Sequence, residues 1–205
     1  MKYIWVNPVA AGMYEPKILE EFLAKHGYKR FEVSTDWIDI VRKKYDEIAK
    51  KSEKHVIDMR CPKAVELVKT LDISGEYIFP DIFPILIHCG QEAEGAAELL
   101  NENKVITTPC KALADMGNAL KLSNTRFIPW NEFVNELGDA PKSKELKKSP
   151  IPPGFFEVLN LRCKSLTGEE EIRDYFANHQ PDEVQLVEML YCKDGCHNGD
   201  GVCFS

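Results

Sequence analysis

The chain has 205 residues, 44% of them hydrophobic and 29% charged, with 12 glycines and 12 prolines, the make-up of an ordinary globular protein. Its formal net charge is −7, and no basic stripe with interleaved aromatics runs through it, so nucleic acid is excluded as the expected partner. No stretch is long and apolar enough to span a bilayer, and the run Met1 to Val6 meets Asn7-Pro8 at once, so neither a membrane anchor nor a signal peptide is expected. A cytoplasmic protein is the expectation, and there seven cysteines point to metal or redox chemistry before disulfides.

In chain order, strand-like and helix-like segments alternate, which predicts an α/β fold with mainly parallel sheets flanked by helices. Tyr3 to Val6 reads as the first strand. A helix follows from Pro16 to His26, with proline in its first turn and Gly27 to stop it. Phe31 to Ser34 is expected to be a strand, and Asp36 to Lys51 a helix with Trp37, Ile40, Val41, Tyr45 and Ile48 facing inward. His55 to Met59 is a strand closed by Arg60-Cys61-Pro62, with a helix after it. Tyr77 to His88 holds Pro80 and Pro84 and reads as a loop with a short extended piece. Gln91 to Asn101 is helical by propensity. Strand–helix pairs then recur at Lys104 to Thr108 with Lys111 to Leu122, and at Thr125 to Trp130 with Asn131 to Leu137.

From Gly138 to Gly154 the chain is rich in lysine and proline without periodicity and reads as a linker; its lysines, Lys142 to Lys148, read as a solvated segment. Phe155 to Cys163 is expected to resume as a strand. Thr167 with Glu170 reads as a capping box opening a helix to about Ala177. Val184 to Tyr191 is an apolar run that predicts a buried strand. The expected division is an α/β lobe over 1–137, a linker over 138–154 and a smaller α/β segment over 155–205.

That last strand delivers Cys192-Lys193-Asp194-Gly195-Cys196-His197-Asn198-Gly199-Asp200-Gly201-Val202-Cys203, two cysteines four apart on a glycine-rich turn. Thiolates held on such a turn suit zinc or an iron–sulfur cluster. Cys61 and Cys110 stand in matching contexts, each just after a predicted strand and just before a predicted helix. In an open parallel sheet, ligands bind beyond the carboxyl ends of the strands. Cys61, Cys110, Cys192 and Cys196 are all expected at such ends. A helix start favours a nearby anion, as a cluster held by four thiolates would be.

At these residues the chain resembles the iron-only ([FeFe]) hydrogenases, in the C-terminal domain of their large chain, along nearly its full length. Arg60-Cys61-Pro62 looks like that family's first cysteine motif, and Thr108-Pro109-Cys110-Lys111-Ala112 like its second. Glu188-Met189-Leu190-Tyr191-Cys192-Lys193-Asp194-Gly195-Cys196-His197-Asn198-Gly199 is close to its third, and His26-Gly27-Tyr28-Lys29-Arg30-Phe31-Glu32-Val33 resembles the segment upstream of the first. The resemblance implies a [4Fe–4S] cluster bound by Cys61, Cys110, Cys192 and Cys196 between two α/β lobes. It also has departures. Where the family carries a lysine that holds a cyanide of the dinuclear iron centre, this chain has Leu113. Where the family has a proton-relaying cysteine it has Arg60, and where two methionines pack on the dinuclear centre it has Thr108 and Leu190. These imply a cubane-binding relative without hydrogenase chemistry.

Three functions follow as expectations. One is a [4Fe–4S] protein for electron transfer or redox sensing, working with a redox partner protein. A second is a small hydrogenase-type oxidoreductase. The third is a zinc-binding or cysteine-rich structural module. Around the four cysteines, His88-Cys89 and His197 are candidates for the same site or for plain core and surface roles. Cys163 reads as core and Cys203 as frayed and reactive. Arg60 reads as positive charge beside a ligand or as a surface residue at a strand end.

Overall fold

The computed structural model describes residues 2–71, 73, 75–178 and 183–203. The chain is α/β, with two four-stranded, all-parallel sheets and helices packed on them. It divides into two compact units. The first comprises Met1–Thr35, Leu86–Ile151 and Cys196–Ser205; the second comprises Asp36–Ile85 and Pro152–Gly195. This division is interleaved: the chain changes units after Thr35, after Ile85, after Ile151, which lies inside the expected linker 138–154, and after Gly195. The reason is parallel pairing, which draws in strands from far along the chain. Among the described residues no helix is long and apolar enough to cross a membrane.

The first unit is built from β1 (Lys2–Trp5), α1 (Pro8–Gly12), α2 (Pro16–Lys25), β2 (Tyr28–Arg30), α5 (Ile85–Gly95, its first residue counted with the second unit), β5 (Asn103–Thr108), α6 (Lys111–Ala119), β6 (Thr125–Pro129) and α7 (Trp130–Leu137). Its strand order is β2-β1-β5-β6, with Lys2 opposite both Tyr28 and Asn103. Helix α1 has a local cause: Asn7 is buried, its Oδ1 accepts the Ala10 N–H at 3.0 Å, and Pro8 fills the first helical position. Helices α1, α2 and α7 cover one face through Val9, Leu19, Leu23, Trp130 and Phe133. A second contact fixes α5 and α6. A Cβ on Gly90 or on Gly117 would lie 2.3 Å from the Phe127 ring, so both helix backbones press on that side chain.

The second unit holds α3 (Trp37–Lys51), β3 (His55–Ile57), α4 (Pro62–Lys69), β4 (Tyr77–Ile78), β7 (Cys163–Thr167), α8 (Glu169–Asn178) and β8 (Leu186–Leu190), in strand order β4-β3-β8-β7. Every residue of β8 is buried, as expected of a central parallel strand covered on both faces. One apolar cluster gathers Ile57, Val65, Val68, Ile172, Val187 and Met189; the other gathers Val41, Tyr45, Val56, Phe156 and Leu186.

Three expected elements fall elsewhere. The strand read at 31–34 lies at Tyr28–Arg30, where Phe31 N–H still donates to Ile4 O before the pairing ends. The apolar stretch read as loop up to His88 enters α5 at Ile85, directly after Pro84. Residues 155–162 are turns, not a strand: Phe155 and Phe156 are committed to packing with Tyr45 and Arg60, and pairing begins only at Cys163. Residues 138–154 form no helix or strand, as expected, but they are anchored, with Lys144 N–H donating to Met13 O.

Candidate functional site

In the second unit Cys61 is the N-cap of α4, at the carboxyl end of β3, with Pro62 in the first turn. Cys192 follows β8, the strand paired with β3. The two cysteine segments meet: the Tyr191 N–H, one residue before Cys192, donates to Cys61 Sγ at 3.4 Å. Burial pushes the Cys61 thiol up, while the Tyr191 and Ala64 N–H groups favour its thiolate. Desolvation outweighs these two donors, so the protonated thiol is the favoured form of Cys61.

The turn after Cys192 has a defined build. The Gly195 N–H donates to Cys192 O at 3.3 Å, Asp194 has φ 61° and Gly195 φ 119°. Glycine relieves the strain of that left-handed backbone, and aspartate is among the few other residues that tolerate it. From Cys196 the chain belongs to the first unit.

In the first unit Cys110 is the N-cap of α6, at the carboxyl end of β5. Cys196 opens a short 3-10 turn, Cys196–Asn198, whose following residues lie against Cys110. The Gly201 N–H donates to Pro109 O at 3.0 Å. A Cβ on Gly199 would stand 2.3 Å from Pro109 O, and one on Gly201 would stand 2.8 Å from Cys110 N. Only glycine allows this approach of backbone to backbone. The Asp200 carboxylate accepts the Lys111 N–H at 3.0 Å, so α6 takes its N-terminal acceptor from a turn 89 residues away in sequence. Thr108 adds a hydroxyl bond to Cys110 O at 2.8 Å.

Each unit thus draws two of the four sequence-predicted cysteine segments to the carboxyl ends of its strands. Among the described residues, no group of three or more His, Cys, Asp or Glu side chains is placed to hold a metal ion.

The neighbouring candidates resolve differently. Arg60 is neither a surface residue nor an unpaired positive charge. Its guanidinium is buried and donates to Asp58 at 3.0 and 2.8 Å and to Glu188 at 2.7 Å, and its Cζ lies 3.8 Å from the Phe155 ring centroid. Glu188 also accepts the Gly154 and Phe155 N–H groups, both at 2.9 Å. Two carboxylates against one guanidinium leave this cluster negative when all are ionised. Burial pushes the Asp58 carboxyl above the usual carboxylate range, outweighing the pull of Arg60.

His88 and Cys89 are buried in α5, and burial pushes the Cys89 thiol up to about 12, which suits a core residue. Cys163 begins β7, its thiol pushed up to about 11 by burial. His197 donates its N–H to Ser149 Oγ at 3.3 Å, and its buried Nδ1 has no hydrogen-bond partner. Cys203 is exposed but not frayed: its N–H donates to Gly199 O and its carbonyl accepts from Asn131 Nδ2 at 3.0 Å.

Sequence reasoning missed Asp200 and the true work of Thr167. Thr167 ends β7, and its hydroxyl donates to Cys192 O at 3.1 Å while accepting the Asp194 N–H at 2.6 Å. Its resemblance to a helix cap concealed this, since Thr167 N–H does reach the Glu171 carboxylate at 3.0 Å. Compared with known proteins, the chain matches no family model and no curated protein.

Proposed function

We propose that this chain is a [4Fe–4S] protein of electron transfer or redox sensing, without hydrogenase activity, whose cluster ligands are Cys61, Cys110, Cys192 and Cys196. One observation carries the reading: each unit by itself gathers two of these cysteine segments at strand ends, by contacts between residues 61 and 191 and between residues 109–110 and 199–201. A cubane takes one thiolate at each of four irons, so its ligands do not converge on one point as those of a single zinc ion do. When bound, such a cluster supplies one-electron transfer, at a potential set by its environment.

The chain's own residues account for the rest. Burial disfavours the Cys61 thiolate, and the Tyr191 and Ala64 N–H groups at its sulfur offset part of that cost. Arg60, whose charge is met by Asp58 and Glu188, is no proton relay, and Leu113 is a buried apolar residue of α6 with no group to bind a diatomic ligand. Both support electron transfer over turnover of hydrogen.

The test is anaerobic purification with iron and acid-labile sulfide analysis. About four irons per chain and a brown colour bleached by dithionite are expected, with loss of both in Cys192→Ala and Cys110→Ala. A stably folded protein that stays colourless after anaerobic reconstitution, or one that carries stoichiometric zinc, overturns the reading. Hydrogen evolution from reduced viologen would overturn the exclusion of hydrogenase chemistry.

A further inference from the structure

We propose that Thr167 is the positioning residue of Cys192, an inference that rests on the cluster reading above. Strand β7 runs parallel to β8 with Thr167 opposite Leu190, so its side chain stands at the level where β8 gives way to the cysteine turn. The Gly168 N–H donates to Leu190 O at 2.9 Å, which keeps the two strand ends together to their last residue. Strand β8 ends at Leu190, and two residues on the Thr167 hydroxyl reaches the backbone of Cys192. It donates to the carbonyl of Cys192 and accepts the N–H of Asp194, gripping the backbone on both sides of Lys193.

Those two bonds use the hydroxyl as donor and acceptor at once, which fixes its rotation as well as the turn. They also hold Asp194 in its left-handed conformation, which an aspartate adopts with less ease than glycine. Gly168, with φ 93°, lets the chain leave β7 sharply enough for α8 to begin at Glu169 without displacing the hydroxyl. An ordinary cap would point its oxygen into its own helix. Thr167 sends its oxygen to the cysteine turn and leaves only its N–H to Glu171. Supporting groups of this kind set the orientation of a ligand and the strength with which the metal is kept.

The experiment compares the full-length wild type, Thr167→Val and Thr167→Ser after anaerobic reconstitution with ferrous iron and sulfide. Valine keeps the shape and the β preference of the position and removes both bonds. Three quantities are read: the rate of iron loss to a chelator, the EPR spectrum of the dithionite-reduced protein and the thermal unfolding of the apoprotein. Thr167→Val is expected to lose iron about tenfold faster and to show an altered EPR spectrum, with Thr167→Ser close to wild type on both. Thr167→Ala repeats the comparison should valine unfold the apoprotein. A Thr167→Val protein that keeps wild-type EPR and wild-type iron loss overturns the inference and leaves the cluster reading standing. So does a serine variant that fails to restore them. A wild type that takes up no iron overturns the cluster reading, and this inference with it.

Discussion

Arg60 sits beside a proposed ligand yet does its work on the other side, as the cation between two buried carboxylates. Removing it leaves the carboxylates of Asp58 and Glu188 buried without a counter-charge, which typically costs about 3–5 kcal/mol. Arg60→Leu is therefore expected to lower the denaturation midpoint sharply, and Arg60→Lys to recover only part of the loss, because a single ammonium does not reproduce the forked pair to Asp58. Equal stability of Arg60→Leu and wild type would remove the triad from the account of this unit.

The thiols offer a second comparison at the same scale. Cys203 is exposed, whereas burial pushes Cys89 up to about 12 and Cys163 up to about 11. At pH 8, iodoacetamide is expected to label Cys203 in the native protein and to reach Cys89 and Cys163 only after denaturant is added. The sign of the pH effect on stability follows. Unfolded thiols ionise near about 8.5, below the folded values, so above that pH the unfolded chain binds fewer protons than the folded one. The stability these two groups contribute is therefore full below about pH 8.5 and is lost as pH rises from there toward about 11 and 12, where the folded thiols ionise too. A denaturant midpoint that rises between pH 8.5 and 10.5 would contradict this.

At the scale of elements, Gly117 of α6 and Gly199 of the last turn separate two kinds of packing. Gly117→Ala drives a Cβ against the Phe127 ring in the first unit's core, and overpacking of that kind costs about 1–3 kcal/mol. Gly199→Ala instead meets the Pro109 carbonyl, so the turn itself must lift from Cys110. Iron retention is expected to fall in Gly199→Ala and to stay near wild type in Gly117→Ala at temperatures where both are folded. The opposite order in a chelator assay would detach the turn from the proposed centre. The same turn caps α6 through Asp200, and Asp200→Ala is expected to cost about 1 kcal/mol, seen as a lowered thermal midpoint.

Elements differ in how far local signals reveal them. Helix α1 is short and its stripe brief, yet Asn7-Pro8 is a cap followed by a first-turn proline, a signal that was present. Helix α5 was obscured because Pro80 and Pro84 read as loop, although a proline directly ahead of a helix breaks none of its bonds. Phe155 and Phe156 looked like the start of a strand, and nothing local announces that their partners are Tyr45, 110 or more residues earlier, and Arg60.

For the whole molecule the decisive fact is interleaving. The second unit needs 36–85 for β3 and 152–195 for β8, and β3 lies between β4 and β8, pairing with both. A fragment of 1–137 would keep β3 and β4 and lose the central β8 together with β7. Such a fragment is expected to leave the second unit unfolded, with amide signals from 36–85 collapsed in an NMR spectrum. Dispersed, native-like signals there would mean that the unit is not one cooperative body.

Alternation of apolar and polar stretches, with glycine and proline as punctuation, was enough to establish the α/β class, most strands and helices, and the strand-end settings of Cys61, Cys110 and Cys192. These follow from periodicity and backbone sterics, which act over a few residues. Which strands pair, which unit each segment joins, where Arg60 finds its carboxylates and what Thr167 and Asp200 hold were decided only in the folded chain. Apart from Arg60 with Asp58, two positions apart, those side-chain contacts join residues 25 to 130 positions apart. Such partners are selected by burial and by the need to satisfy buried polar groups, and neither leaves a mark in the neighbouring sequence.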